Sequence, residues 1–163
     1  MTAPAPLAVL ILHNRPGAYR EGAADSAASD AGVTDQVEAV EQALRSLRVS
    51  YRRCAVGELC ELPGVLRTAS ENVVFNLVEA LAEGSGAAAI VPDLCRAFDK
   101  HCTGSGTEAL RLTLHKWRTK VILEASGIRT PPGLLVPVGD PIDLARLSSG
   151  MLIVKPVATD ASE

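Results

Sequence analysis

Leu7-Ala8-Val9-Leu10-Ile11-Leu12 is the stretch on which the fold turns. Six apolar residues in a row match the length of a strand, and the lack of alternation suits a strand covered on both faces. Strands of that kind belong to parallel sheets with helices on either side. Val49–Ala55 reads as a second strand and Asn72-Val73-Val74-Phe75-Asn76 as a third. Between the first two, Val37, Val40, Leu44 and Leu47 recur at helical spacing and predict a helix over Thr34–Arg48. Thr34 is placed to cap it, Asp35 suits the positive end of its dipole, and Arg45 and Arg48 suit the negative end. His13–Gly32, rich in Gly, Ala, Ser and Asp, reads as a long loop. The alternation of strand and helix makes this an α/β chain with a Rossmann-like parallel sheet.

Further along, Gly57–Ser70 reads as a connecting segment punctuated by Pro63-Gly64. Leu77–Glu83 reads as the start of a helix broken by Gly84-Ser85-Gly86. Ala87–Phe98 reads as a further helix in which Pro92 is awkward. Thr103-Gly104-Ser105-Gly106 is a flexible turn, and there the pattern changes. Thr107–Leu114 and Lys116–Ser126 read as two short helices, the second with Gly127 at its C′ position. Gly133–Val136 and Met151–Pro156 read as strands, with a short helix opened by Asp140-Pro141 between them. The expected organisation is a Rossmann-like domain over residues 1–106 and a second, α+β unit over residues 107–163.

Composition narrows the function. The 163 residues carry 16 Lys+Arg against 19 Asp+Glu, a net charge of −3, which argues against a nucleic-acid footprint. Aromatics are only 3%, too few for base-stacking platforms. No apolar run approaches the roughly 18 residues of a membrane span. The start lacks a basic region and does not read as a signal peptide. Cys54, Cys60, Cys95 and Cys102 form no CxxC, and free thiols without an export signal suggest the cytoplasm. The turn after the first strand, His13-Asn14-Arg15-Pro16-Gly17, is not a GxGxxG loop, which disfavours a dinucleotide. A histidine at that strand end could still be functional.

Three segments in this order carry a family resemblance: Val73-Val74-Phe75-Asn76-Leu77-Val78-Glu79; Thr103-Gly104-Ser105 through Leu112-Thr113-Leu114-His115-Lys116-Trp117-Arg118-Thr119-Lys120; and Ile153-Val154-Lys155-Pro156-Val157-Ala158-Thr159-Asp160-Ala161-Ser162-Glu163. With Gly127-Ile128-Arg129-Thr130-Pro131-Pro132, they resemble the front half of an ATP-grasp ligase of the D-alanine–D-alanine ligase-like group. The resemblance implies a pre-ATP-grasp domain followed by the start of an ATP-grasp subdomain. It implies ATP and magnesium as cofactors, with the metal ligands in a C-terminal half beyond these residues. It also implies small amino-acid substrates, a role in cell-wall peptidoglycan, and no nucleic-acid or membrane partner; a homodimer stays open. The reaction implied joins a carboxylate to an amine through an acylphosphate. A front half on its own would be inactive, and a non-catalytic truncated or split binding module is the alternative.

The resemblance also implies site residues. Lys155, before Pro156, and Lys116, at the head of a helix, would contact the ATP phosphates, with the Ser162 hydroxyl beside them. Lys155 can equally be a charge guarding an edge strand, and Lys116 an exposed helix lysine. His115 stands where this group has an acidic residue. Glu79, past the third strand, could meet a substrate ammonium group, since ligands of open parallel sheets bind beyond the carboxyl ends of strands. Asp35 is a weaker substrate-binding candidate beside its dipole role.

Overall fold

The computed structural model describes residues 6–18, 26–143, 145 and 150–158. The chain divides into two compact units, Met1–Leu110 and Arg111–Glu163.

The first unit is a four-stranded, all-parallel sheet with helices, an α/β architecture of Rossmann-like type. Its strands are β1 (Ala8–Asn14), β2 (Ser50–Val56), β3 (Val73–Leu77) and β4 (His101–Cys102), in the order β2-β1-β3-β4. β1 is central. Leu10 lies opposite Arg52 on one side and Val74 on the other. Alternate residues of β1 serve opposite faces, as strand geometry dictates. Val9 and Ile11 pack with Val33 and Val37 of α1 (Ser26–Ser46). Leu10 and Leu12 pack with Leu62 and Leu66 of α2 (Leu62–Thr68) and with Val91 and Cys95 of α4 (Val91–Ala97). Leu10, Ile11 and Leu12 are fully buried, each stabilising by about 1.5–3 kcal/mol. The short helix α3 (Ser85–Ala88) precedes α4.

Several sequence expectations are corrected here. α1 starts at Ser26, inside the stretch read as loop, so Thr34 is no cap and Asp35 sits in mid-helix rather than at the positive end of the dipole. Leu47 falls beyond the helix and is 71% exposed, while Val33 takes its expected place in the apolar stripe. Pro63 opens α2 and Pro92 opens α4, in the first turn, where the missing N–H has no helical partner to lose. Thus Pro92 divides one expected helix into two. No helix forms over Leu77–Glu83. Its backbone N–H groups are taken from outside: Val78 by Asn76 Oδ1 at 3.1 Å, Glu79 by Asn14 Oδ1 at 2.8 Å, and Ala82 by the Gly57 carbonyl at 2.8 Å.

α5 (Thr107–Leu114), which begins in the first unit and ends in the second, and α6 (Lys116–Ala125) in the second lie where expected. Gly127, at φ 78°, closes α6: Ile128 N–H reaches Leu123 O at 2.9 Å and Gly127 N–H reaches Glu124 O at 3.0 Å. The strands expected at Gly133–Val136 and Met151–Pro156 are absent, as both stretches carry no regular structure. Parallel or antiparallel pairing needs a neighbouring strand, and none occurs among the described residues of this unit. Asp140 to Asp143 form no helix; residues 144, 146 and 147 of that expectation, which ran to Leu147, lie outside the described residues. No helix among the described residues is long and apolar enough to cross a membrane.

Two features of the first unit bear directly on stability. α1 ends in the same closure as α6, with Val49 N–H on Leu44 O and Arg48 N–H on Arg45 O, both at 3.0 Å. Arg48 there occupies φ 55°, a left-handed conformation that a Cβ disfavours. Arg48→Gly therefore raises stability by about 0.5–1 kcal/mol, read from the urea midpoint. The second feature is an ion pair. Arg52 grips the buried Glu71 through Nε–Oε1 at 2.8 Å and Nη2–Oε2 at 3.0 Å. The Arg52 hydrogen bonds hold the Glu71 carboxyl below its ordinary 4.5, with the Lys100 charge adding to the effect. A carboxyl depressed in the folded state stabilises fully above its unfolded value and loses that contribution as pH falls through the folded value. Urea unfolding of wild type and Glu71→Gln therefore shows wild type ahead by about 1–3 kcal/mol near pH 7. The gap closes as the pH falls below about 4.

Candidate functional site

The order β2-β1-β3-β4 creates a switch point between β1 and β3, where connections leave in opposite directions. In open parallel sheets the crevice at the carboxyl ends of such strands is where ligands bind. Here the crevice is walled by the segments after β1 and β3. His13 and Asn14 end β1, and Glu79 follows β3 by two residues. The Asn14 side chain bridges the two loops, accepting from Glu79 N–H at 2.8 Å and donating to the Ala80 carbonyl. His13 is half-buried, its Nδ1 2.9 Å from the Asn14 carbonyl oxygen.

The segment after β2 closes one side. Gly57 approaches so closely that a Cβ there would lie 3.0 Å from both Arg15 Nη1 and the Ala18 Cβ. Arg15 donates twice to the Glu61 carboxylate, at 3.0 and 2.6 Å. Glu83 caps the 3-10 turn at Leu59–Glu61, accepting from Leu59 N–H at 3.2 Å. Three carboxylates, Glu58, Glu61 and Glu83, stand on this rim against one guanidinium, Arg15. The Cys60 thiol is pushed up by its hydrogen bond to Glu58 and by the charges of Glu58, Glu83 and Glu61. Such a rim suits a cationic group better than a phosphate. The Glu79 carboxylate is exposed, with no hydrogen bond or ion pair to any described residue. Asp35 is exposed on α1, and no described contact joins it to the crevice.

The two lysines lie in the second unit. Lys116 is the first residue of α6, and its N–H donates to the Val157 carbonyl at 2.8 Å. That bond joins the head of α6 to the segment carrying Lys155. Lys155 itself is exposed in an irregular stretch, so its expected place at a strand end is corrected. Ser162 lies outside the described residues. His115 fills the cap position: its Nδ1 accepts from Arg118 N–H at 3.2 Å, the task an acidic residue would perform there. Thr119 Oγ1 donates to Leu112 O at 2.8 Å and ties α6 back to α5. The Lys120 ammonium pairs with Glu124 at 2.8 Å and also donates to Thr130 Oγ1 and the Pro131 carbonyl, which fixes the chain leaving α6.

Sequence reasoning placed Glu79 and Lys116 at element ends and missed the work of Asn14. The available signal was slight: a polar carboxamide at the end of an apolar run. Among the described residues, no group of three or more His, Cys, Asp or Glu side chains could hold a metal ion.

Over 126 residues the chain is 31% identical to the D-alanine–D-alanine ligase of Methylococcus capsulatus. The match takes in 77% of this chain and 39% of that ligase, so the chain spans about two fifths of its relative's length. This similarity supports a ligase-like relationship. No protein-family description matches the chain, and no solved structure matches it.

The His115 cap can be checked directly. His115→Ala leaves the Arg118 N–H unpaired and lowers the stability of α6 by about 0.5–2 kcal/mol, whereas His115→Asp preserves it. Hydrogen exchange at the Arg118 amide reads the difference: faster in the alanine variant, unchanged in the aspartate variant.

Proposed function

We propose that this chain is the front portion of an ATP-dependent carboxylate–amine ligase of the D-alanine–D-alanine ligase kind, working in the cytoplasm on small amino acids for the cell wall. One observation carries the reading. The Lys116 N–H to Val157 carbonyl bond sets the two lysine-bearing segments against each other in one unit. Two ammonium groups on adjoining segments suit the oxygens of one polyphosphate. The match to a ligase of that name, and the acidic rim beside Glu79, support the same reading.

In this reading a carboxylate oxygen of the first amino acid attacks the γ-phosphorus of ATP, and ADP leaves. The amine of a second amino acid then attacks the acylphosphate carbon. Inorganic phosphate departs as the amide bond forms, and the amine gives up a proton. A carboxylate is a poor electrophile until it carries such a leaving group. Lys116 and Lys155 neutralise phosphate charge as it shifts toward ADP. Glu79 meets the ammonium end of an amino acid. Magnesium supplies charge neutralisation when bound. The described residues offer it no cluster of ligands.

A second reading, a non-catalytic part of a split binding module, is favoured by the exposed apolar side chains of Met151, Ile153 and Val154. Lys155→Ala separates the two. In the complete enzyme, with the remaining portion supplied, loss of a hydrogen bond to a charged phosphate costs about 1.5–3 kcal/mol. That lowers kcat/KM for ATP by roughly tenfold to a hundredfold. Lys155→Arg rescues only in part, since a planar fork differs from a point charge. The melting temperature stays the same, because Lys155 is exposed. Unchanged ATP kinetics would overturn the nucleotide-site reading.

A further inference from the structure

Asn14 is the last residue of β1 and lies opposite Val56 of β2. On its other side the ladder with β3 stops one residue earlier, at His13 and Leu77. There the chain turns away as Asn76 Oδ1 takes the Val78 N–H. The Asn14 carboxamide fills the step that the backbone leaves. Its Oδ1 accepts from Glu79 N–H at 2.8 Å, and its Nδ2 donates to the Ala80 carbonyl. A carboxamide pairs one acceptor with donors on a planar group, as a peptide unit does. An ionised carboxylate only accepts, and a hydroxyl has a single atom with which to serve both sides. Two more ties hold the same loop from the β2 side: Ala82 N–H on the Gly57 carbonyl, and the Glu83 carboxylate on Leu59 N–H. The loop's backbone is thus held at residues 79, 80 and 82 and the loop is tied at its end by the Glu83 side chain, while the Glu79 carboxylate is left exposed.

We infer that Asn14 is a positioning residue: its two-point grip on residues 79–80 presents the Glu79 carboxylate to the ammonium group of a small amino-acid substrate. What Glu79 meets rests on the ligase reading; the grip itself does not. A carboxylate carried on a fixed backbone binds a cation without the ordering cost of a free loop. The neighbouring charges agree. Arg15 is engaged with Glu61, while Glu58 and Glu83 add negative potential to the rim.

The test uses D-alanine as the probe and amide resonances of the 163-residue chain as the readout. The variants are Asn14→Asp, Asn14→Ala and Glu79→Gln. Asn14→Asp keeps the shape and the acceptor, and sets an oxygen against the Ala80 carbonyl in place of a donor; it carries the test if Asn14→Ala fails to fold. In both Asn14 variants the Glu79 amide exchanges at least about tenfold faster. The saturable D-alanine shift at Glu79 then needs about tenfold more ligand, a loss of roughly 1.4 kcal/mol. It vanishes in Glu79→Gln. Unchanged Glu79 exchange in Asn14→Asp overturns the grip. Faster exchange with unchanged D-alanine affinity makes Asn14 a loop staple only and overturns its positioning role. If wild type shows no saturable D-alanine shift while exchange still accelerates in the variants, the amino-acid reading of Glu79 fails and the grip stands apart from it.

Discussion

A strand hydrogen-bonded on both edges and covered on both faces is the constraint from which this structure follows. β1 meets that condition from Val9 to Leu12. Its backbone groups pair with β2 and β3, and Leu10, Ile11 and Leu12 lose all contact with water. Parallel partners on both sides require crossovers. Crossovers place α1 on one face and α2 with α4 on the other. Because the connections diverge on either side of β1, its carboxyl end opens into a crevice. The position of the candidate site is therefore a consequence of β1 being central.

The two units present opposite chemistry. The segment after β2 is acidic, with Glu58, Glu83 and Glu61 pushing the Cys60 thiol above its ordinary value. The head of α6 is basic, with Lys116, Arg118 and Lys120 in one turn and the Lys155 segment bonded to it. Cys95 contributes to neither. The neighbouring Cys102 and its own burial push its thiol far up, so it acts as core.

The parts of the fold legible in the sequence were those with a local signature. The apolar run of β1, the helical spacing of Val37, Val40 and Leu44, and Gly127 past α6 each announce themselves within a few residues. The first turns of α1 did not, since Ser26-Ala27-Ala28-Ser29-Asp30-Ala31-Gly32 contains no apolar stripe. β4 has only two residues, and its place is set by the Asn72 and Val74 carbonyls rather than by its own composition. The apolar stretches at 133–136 and 151–156 look like strands because apolar content cannot report whether a partner strand is present. Of the candidate site, Glu79 and Lys116 were readable as charges near element ends, whereas the strand end expected for Lys155 did not form. Asn14 was not, because its role depends on residues 65 and 66 positions away.

That separation has a kinetic consequence. The loop at residues 78–83 takes much of its shape from the distant Asn14 and Gly57. Closing a contact over some 65 residues carries a loop entropy that must be met before the bonds form. Neither tie can exist until β1, β2 and β3 lie side by side. The crevice wall is therefore among the last parts of the first unit to acquire its native shape during folding, after the sheet has condensed. A chain slowed at strand assembly would hold native helices for a time while still lacking any place to bind.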